Sequence, residues 1–312
     1  MLVADCSAAA PKTQTKMMLK DILKGTGVAL VTPFEERGGV DYESLERVIN
    51  FVLNGGVKYI VTLGTTGEAP TLSQDEKKEI ISATMRFVNG RVPVVIGIGG
   101  NNTRSLCNDL NNYPLQGAVA VLSASPYYNK PSQEGVYQHY KAIGEASPLP
   151  VLLYNVPGRT GSNISSATTI RLATEVPNIA GIKEASGNMH QCMEILRDRP
   201  SDFLVVSGDD LLALPQIACG MDGVISVAAN CFPKEFCSMV EAGLVNHFEE
   251  ARTLNNKLLL GYDILFSENN PAGAKAFLSE LGVIRNHLRL PLVPLSETVH
   301  GRAKSFLRTL GN

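Results

Sequence analysis

One unit recurs along this chain from Gly27 onward: a short apolar run that ends in Gly, Ser, Thr or Asn, followed by an amphipathic helical pattern. Strands that alternate with helices are typical of a parallel sheet, because a helix carries the chain back between parallel strands. Eight such units predict a (β/α)8 TIM barrel of the α/β class. The predicted strands are Val28–Pro33, Tyr59–Leu63, Pro93–Ile98, Ala118–Ser123, Val151–Tyr154, Ile179–Lys183, Phe203–Ser207 and Val224–Val227.

An open, doubly wound sheet is the rival architecture. It usually has fewer strands and a glycine-rich dinucleotide-binding loop after the first strand. Here the first predicted strand ends in Thr32-Pro33-Phe34-Glu35, which offers no cradle for a phosphate. The barrel is therefore the better prediction.

Helical patterns with charged faces lie between the strands, and Ser73 with Glu76 forms a capping box for one of them, while Ser132 caps another. Further helical patterns follow the eighth strand and exceed what a barrel needs. We therefore divide the chain into a disordered extension (1–20), a barrel (21–247) and a C-terminal helical region (248–312) suited to assembly. The predicted helices include Tyr42–Leu53, Gln74–Val88, Gln133–Glu145, Ser165–Glu175, Lys234–His247, Phe248–Phe266, Ala272–Leu281 and Ser296–Leu310.

The composition excludes several classes of partner. Lys and Arg number 28 against 30 Asp and Glu, and this balance argues against nucleic acid or an anionic membrane surface as a partner. No apolar run approaches the ~20 residues of a membrane span. The six cysteines form no CxxC pair and no His cluster accompanies them, so we expect no metal site and a reducing, cytoplasmic location. We also expect no cofactor requirement.

The run Ile179–Lys183 places a lysine at the carboxyl end of a strand, where the active sites of such barrels lie. Burying an ammonium is costly, and desolvation lowers the pKa of a lysine from its usual ~10.4. A neutral lysine amine can form a Schiff base with a carbonyl substrate. The alternative is that Lys183 simply ends a strand and extends its ammonium to solvent.

Other strand ends provide suitable companions. Gly64-Thr-Thr-Gly-Glu68 offers two hydroxyls and main-chain N–H groups that suit a carboxylate. Tyr154 closes the fifth strand, where its phenol can transfer protons to and from a carbinolamine. Arg159, on the following loop, suits a second carboxylate through its bidentate fork. This set favours Lys183 as a nucleophile.

The loop after the seventh strand bears on the choice of substrate. Sugar-phosphate aldolases of this fold need a phosphate site in the loops after strands seven and eight. Asp209 and Asp210 stand there and would repel a phosphate. Their simplest role is to cap the next helix.

From about Leu23 onward the chain resembles the pyruvate-dependent class I aldolase family, and within it the dihydrodipicolinate synthase family. The resemblance covers nearly the whole chain, and its motifs are highly specific in combination. They are Gly64-Thr-Thr-Gly-Glu68, Pro126-Tyr-Tyr-Asn-Lys-Pro-Ser-Gln-Glu-Gly135, Tyr154-Asn-Val-Pro-Gly-Arg-Thr-Gly161, Gly181-Ile-Lys-Glu-Ala-Ser-Gly187 and Ser207-Gly-Asp-Asp210.

The resemblance implies a reaction in lysine and diaminopimelate synthesis. Lys183 would form an imine with pyruvate, and the derived enamine would attack L-aspartate 4-semialdehyde. Tyr154 matches the family's proton donor and acceptor. Thr65 matches the hydroxyl that links this tyrosine to a second one, and Tyr128 matches that second tyrosine, which reaches into a neighbouring subunit's site.

The resemblance also implies three substrate contacts. Thr66 matches the contact to the pyruvate carboxylate, Ile225 a main-chain contact to bound pyruvate, and Arg159 the residue that receives the carboxylate of the semialdehyde. A homotetramer built as a dimer of dimers is expected.

Regulation is where the chain departs from its lysine-inhibited relatives. Those members commonly carry His or Glu where this chain has Lys77, and Glu where it has Ser105, although Asn101 and Tyr127 remain. Lys77 would repel the ammonium of the inhibitor, and Ser105 removes a carboxylate that would bind it. We expect weak or no inhibition by lysine.

Two alternatives stay open at this point. A sibling aldolase that cleaves N-acetylneuraminate or a 2-keto-3-deoxy sugar acid would keep Lys183 and Tyr154, but usually lacks the Arg-Thr-Gly that begins at Arg159. A barrel without catalytic activity, which binds a small ligand or a partner, is the other.

Overall fold

The computed structural model of the protein describes residues 18–311, and in it eight parallel strands close into one barrel in chain order. Each strand pairs with the next, and the first pairs with the last. The predicted (β/α)8 fold is therefore confirmed. The strands are β1 (Gly25–Ala29), β2 (Tyr59–Thr62), β3 (Val94–Gly97), β4 (Ala120–Ala124), β5 (Val151–Asn155), β6 (Ile179–Glu184), β7 (Leu204–Ser207) and β8 (Gly223–Ser226).

Helices cover the outside of the barrel, and three more follow it. The capping box is present, with the Ser73 hydroxyl accepting from Glu76 N and the Glu76 carboxylate accepting from Ser73 N, and Ser132 accepts from Gly135 N. The helices are α1 (Tyr42–Asn54), α2 (Gln74–Val88), α3 (Thr103–Asn112), α4 (Gln133–Ala146), α5 (Pro157–Thr160), α6 (Ser166–Glu175), α7 (Met189–Asp198), α8 (Ala213–Ala218), α9 (Pro233–Leu244), α10 (Phe248–Phe266), α11 (Ala272–Glu280) and α12 (Glu297–Leu310).

The first strand is the one element whose position was predicted wrongly. It begins at Gly25 rather than Val28 and leaves the ladder after Ala29. Its small residues hide it from a search for apolar runs, yet they are needed. A Cβ at Gly27 would lie 2.2 Å from the ring of Tyr59, which is buried inside the barrel.

Apolar side chains pack in two layers. One lies between the strands and the surrounding helices, and the other fills the barrel with residues such as Tyr59, Leu152 and Leu204. Residues 18–22 are helical, and the side chains of Leu19 and Leu23 join the inner layer. Because Lys20 Nζ contacts Asp222 and the Ser201 carbonyl, both just before strands, this helix closes the amino end of the barrel.

Most of the predicted extension, 1–20, lies outside the described residues, but residues 18–20 belong to the helix that closes the barrel.

At the other end of the chain, the rings of Phe232, Phe277 and Phe306 pack edge to face, with centroids 5.0 to 6.0 Å apart. These contacts hold α11 and α12 against the barrel. Within residues 18–311, none of the helices is both long and apolar enough to cross a membrane.

Candidate active site

Lys183 lies near the carboxyl end of β6, and its side chain is only 4% exposed. Its register partner on β5 is Tyr154, and Lys183 Nζ lies 4.4 Å from the centroid of the Tyr154 ring. Lys275, the other buried lysine of residues 18–311, forms an ion pair with Glu68. Among the described residues, no carboxylate forms such a pair with Lys183. Its amine is therefore held inside the protein without a counter-charge, beside a phenol.

A cavity of about 200 Å³ opens at the carboxyl end of the barrel and is lined by five of the seven predicted site residues. They are Lys183, Tyr154, Thr65, Thr66 and Arg159. The wall is otherwise largely apolar, with Val61, Leu122, Val156 and Phe266 among its residues. Such a cavity, largely apolar with a few convergent polar groups, has the character of a site for a small polar molecule.

Thr65 and Thr66 lie on a short helical turn, Thr65–Gly67, directly after β2. The main-chain N–H groups that begin such a turn have no partner within it, so they are free to receive a carboxylate. Close packing keeps the turn in place: the Thr32 hydroxyl donates to the Gly67 carbonyl over 2.8 Å, and a Cβ at Gly67 would lie 3.2 Å from that hydroxyl oxygen.

A buried ionic network fixes the far end of this turn. Glu68 adopts a left-handed conformation (φ 53°) that turns its carboxylate away from solvent, where it pairs with Lys275. Lys275 Nζ also donates to the His287 carbonyl and lies over the ring of Phe34. Burial lowers the pKa of Lys275 to about 8, although the charge of Glu68 opposes that shift.

Arg289 completes the network from the C-terminal side. Its main-chain N–H donates to the Glu68 carboxylate, and its guanidinium pairs with Glu76, the capping residue of α2. This interaction with Arg289 lowers the pKa of Glu76 to about 2. The C-terminal region therefore holds the loop that carries the two threonines.

Arg159 lies on α5, is exposed, and lines both the inner cavity and an outer pocket of about 490 Å³. The outer pocket also contains Lys77 and Tyr127. Ser105 lies on the exposed side of α3 and does not line it. Arg159 thus stands where the inner cavity meets the protein surface.

Two predicted site residues lie elsewhere. Tyr128 is 88% exposed, has a positive φ of 70°, and does not line the cavity of its own chain. Ile225 lies on β8, and its side chain packs in the barrel interior in the same apolar cluster as Tyr154. Neither position contributes a side chain to the inner cavity.

The two acids after β7 have different roles. Asp209 accepts from the main-chain N–H groups of Leu211 and Leu212 in the turn before α8, but the N-cap position of that helix is Leu212 and no side chain caps it. The capping prediction is therefore wrong for Asp209. It is also wrong for Asp210, which is buried and accepts from Val227 N and Ala228 N at the end of β8. Burial raises the pKa of Asp210 to about 6.

Further polar residues of the site were not predicted from the sequence. Glu184 turns to the opposite side of β6 from Lys183 and accepts from Ser186 N, the Asn155 amide and the Gln191 amide. Asn270 lines the cavity from the segment between α10 and α11. A single lysine among the small residues at the start of α11 could have indicated that Lys275 is buried in an ion pair. No comparable feature of the sequence indicates that Asn270 belongs to the site.

Comparison with known proteins places this geometry in context. Residues 22–310 match the dihydrodipicolinate synthetase family. The 4-hydroxy-tetrahydrodipicolinate synthase of Flavobacterium psychrophilum is 50% identical over 286 residues, which are 92% of this chain and 98% of that protein.

Two solved structures are also similar to this chain in sequence and fold. The chloride-inhibited dihydrodipicolinate synthase of Acinetobacter baumannii, in complex with pyruvate, is 43% identical with a TM-score of 0.90, over 93% of this chain and 99% of that one. A monomeric dihydrodipicolinate synthase variant is 40% identical with a TM-score of 0.91, over 94% of this chain and 98% of that one.

Proposed function

The chain belongs to the dihydrodipicolinate synthetase family, and on that premise we propose that it condenses pyruvate with L-aspartate 4-semialdehyde through a Schiff base on Lys183. The product is 4-hydroxy-tetrahydrodipicolinate, which serves lysine and diaminopimelate synthesis. The observation that carries this proposal is the buried amine of Lys183, which has no paired carboxylate among the described residues and lies against Tyr154.

The first half of the reaction needs an unprotonated amine and a proton relay. Lys183 Nζ attacks the ketone carbon of pyruvate, water leaves, and an imine forms. Loss of a methyl proton gives the enamine. Tyr154 carries protons to and from the carbinolamine, and Thr65, which lines the same cavity, links its phenol to the next member of the relay.

The second half joins the substrates. Thr66 and the main-chain N–H groups of its turn hold the pyruvate carboxylate, and the main chain at Ile225 contacts bound pyruvate. Arg159, at the mouth of the cavity, receives the carboxylate of the semialdehyde through its bidentate fork. The enamine carbon attacks the aldehyde, and the substrate's own amine then displaces Lys183 by transimination and closes the ring.

The proposal includes a homotetramer, arranged as a dimer of dimers, in the cytoplasm. Its support is Tyr128, which projects into solvent from a strained backbone and lines no cavity of its own chain. A tyrosine placed in this way suits a neighbouring subunit's site, where it would extend the relay from Thr65. The proposal includes no nucleic acid, membrane or cofactor as a partner in the reaction.

Trapping with borohydride tests the proposal. The protein is incubated with pyruvate and reduced, and the modified residue is located by mass spectrometry. We expect a single pyruvyl adduct on Lys183, none in Lys183→Met, and an unchanged adduct in Lys141→Met, which removes an exposed lysine outside the cavity. No adduct in the wild type, or one elsewhere, would overturn the assignment.

The sibling aldolases that act on N-acetylneuraminate or 2-keto-3-deoxy sugar acids would share the imine. About half of the residues in this chain are identical to those of named synthases. This similarity favours the condensation over the sibling reactions. Turnover of pyruvate with the semialdehyde, compared with cleavage of N-acetylneuraminate under the same conditions, measures the difference directly.

A further inference from the structure

Asn270 lies outside the barrel strands and their loops, yet it lines the inner cavity together with Lys183 and Thr66. Its side chain is buried, with 4% exposure, and its amide Nδ2 donates to Thr66 Oγ1 over 2.8 Å. Thr66 is itself 2% exposed. Within the described residues this is the one side-chain hydrogen bond that the Thr66 hydroxyl makes.

A hydroxyl has one hydrogen to donate and can accept from another group. Because the Asn270 amide occupies an acceptor position of Thr66 Oγ1, the hydroxyl hydrogen remains available for another acceptor. The proposed acceptor in the cavity is the carboxylate of pyruvate, and a hydrogen bond to such a charged group is worth more than a neutral one.

We propose that Asn270 is a positioning residue, which orients the Thr66 hydroxyl so that it donates to the substrate carboxylate. This inference rests on the proposed function, since it needs pyruvate in the cavity. The ion pair of Glu68 with Lys275 holds the same loop from the same C-terminal region. That region therefore completes the carboxylate site, in addition to the role in assembly that its helices suggest.

The test compares two ketones that form the same imine with Lys183: pyruvate, which has a carboxylate, and acetone, which has none. In each case the amine attacks the ketone carbon, water leaves, and borohydride delivers hydride to the carbon of the C=N bond. The second-order trapping rates give a ratio of pyruvate to acetone. Damage to the fold or to Lys183 lowers both rates, whereas loss of the carboxylate contact lowers only the first.

We expect the ratio to fall about tenfold in Asn270→Leu, the scale of one hydrogen bond to a charged group. In Asn270→Asp the fall should be larger, because a carboxylate at this position accepts the Thr66 hydroxyl hydrogen and repels pyruvate. Asn255→Asp makes the same chemical change on α10 at a residue that does not line the cavity, and its ratio should equal that of the wild type.

A double-mutant cycle shows whether Asn270 acts through Thr66. In the Thr66→Val background, Asn270→Leu should lower the ratio no further. Equal losses for both ketones, an unchanged ratio in Asn270→Asp, or full additivity with Thr66→Val would each overturn the inference while leaving the Schiff-base function intact. Absence of a pyruvate adduct in the wild type would instead overturn the proposed function, and this inference with it.

Discussion

Tyr154 and Lys183 are register partners on β5 and β6, and Lys183 Nζ lies 4.4 Å from the centroid of the Tyr154 ring. The amine therefore lies against the aromatic face, and both side chains line the same cavity. Two neighbouring strands thus bring together the proposed nucleophile and its proposed proton carrier. The contribution of the phenol hydroxyl can be measured separately, because a substitution by phenylalanine removes the hydroxyl and keeps the ring.

Tyr154→Phe keeps the ring and removes the hydroxyl. We expect kcat to fall by about 100-fold or more, the usual scale for a lost acid–base group. The KM for pyruvate should change much less, because the carboxylate contacts remain. Steady-state kinetics measure both values. Tyr137→Phe removes a phenol that donates to Glu175 outside the cavity, and its kcat should match that of the wild type.

The pair of Lys275 with Glu68 predicts a stability effect. Lys275→Met leaves the Glu68 carboxylate buried without its partner, which costs about 3–5 kcal/mol in unfolding free energy. The double change Glu68→Gln with Lys275→Met removes both charges and should recover much of that loss. Urea denaturation measures the difference, and a single variant as stable as the wild type would contradict the ion-pair assignment.

Arg159 should affect the second substrate only. Arg159→Lys keeps the charge but loses the planar fork, and we expect the KM for the semialdehyde to rise about tenfold or more. The rate of pyruvate trapping on Lys183 should not change, since the first half-reaction does not use Arg159. Parallel kinetics and trapping test this, with Arg171→Lys as a control at an exposed ion pair outside the cavity. Equal effects on both half-reactions would exclude the assigned role.

Lysine should inhibit weakly or not at all. Lys77 lines the outer pocket, where its charge opposes a second ammonium, and Ser105 supplies no carboxylate. A titration of activity with lysine should show little loss below millimolar concentration. Lys77→His weakens the opposing positive charge in this pocket and should increase the sensitivity. Strong inhibition of the wild type at submillimolar lysine would contradict this prediction.

The sequence predicted those parts of the molecule that follow from local pattern. Apolar runs and caps located seven of the eight strands and the ends of α2, since burial and capping leave direct traces in the order of residues. The first three residues of β1, Gly25, Thr26 and Gly27, leave no apolar trace. The role of Gly27 depends on the Tyr59 ring that it accommodates, which lies on a different strand.

The same distinction applies to the residues of the candidate site: some follow from local sequence pattern and others do not. Lys183 and Tyr154 lie near the carboxyl ends of their strands and Arg159 follows one, so the rule that barrels build their sites at strand ends finds all three. Asn270 lies beyond the eighth strand, in a segment whose sequence resembles an ordinary turn. Only the folded chain brings it to Thr66, and the same holds for Asp210, whose partners lie at the end of the next strand.

Tyr128 supports the most demanding prediction, because we propose that it acts in the site of a neighbouring subunit. Tyr128→Phe and Lys183→Met should each be nearly inactive alone. In a hybrid dimer, the subunit that retains Lys183 receives an intact Tyr128 from its partner, so one complete site forms. Unfolding and refolding the two variants together should then restore about a quarter of the wild-type activity, given random pairing of subunits.

Mixing Tyr128→Phe with Tyr154→Phe should restore activity in the same way, because those changes also fall in different sites of the hybrid. Sizing of the refolded protein checks that assembly has occurred. Activity that stays at the level of the separate variants, despite assembly, would place Tyr128 outside the relay or in the site of its own chain.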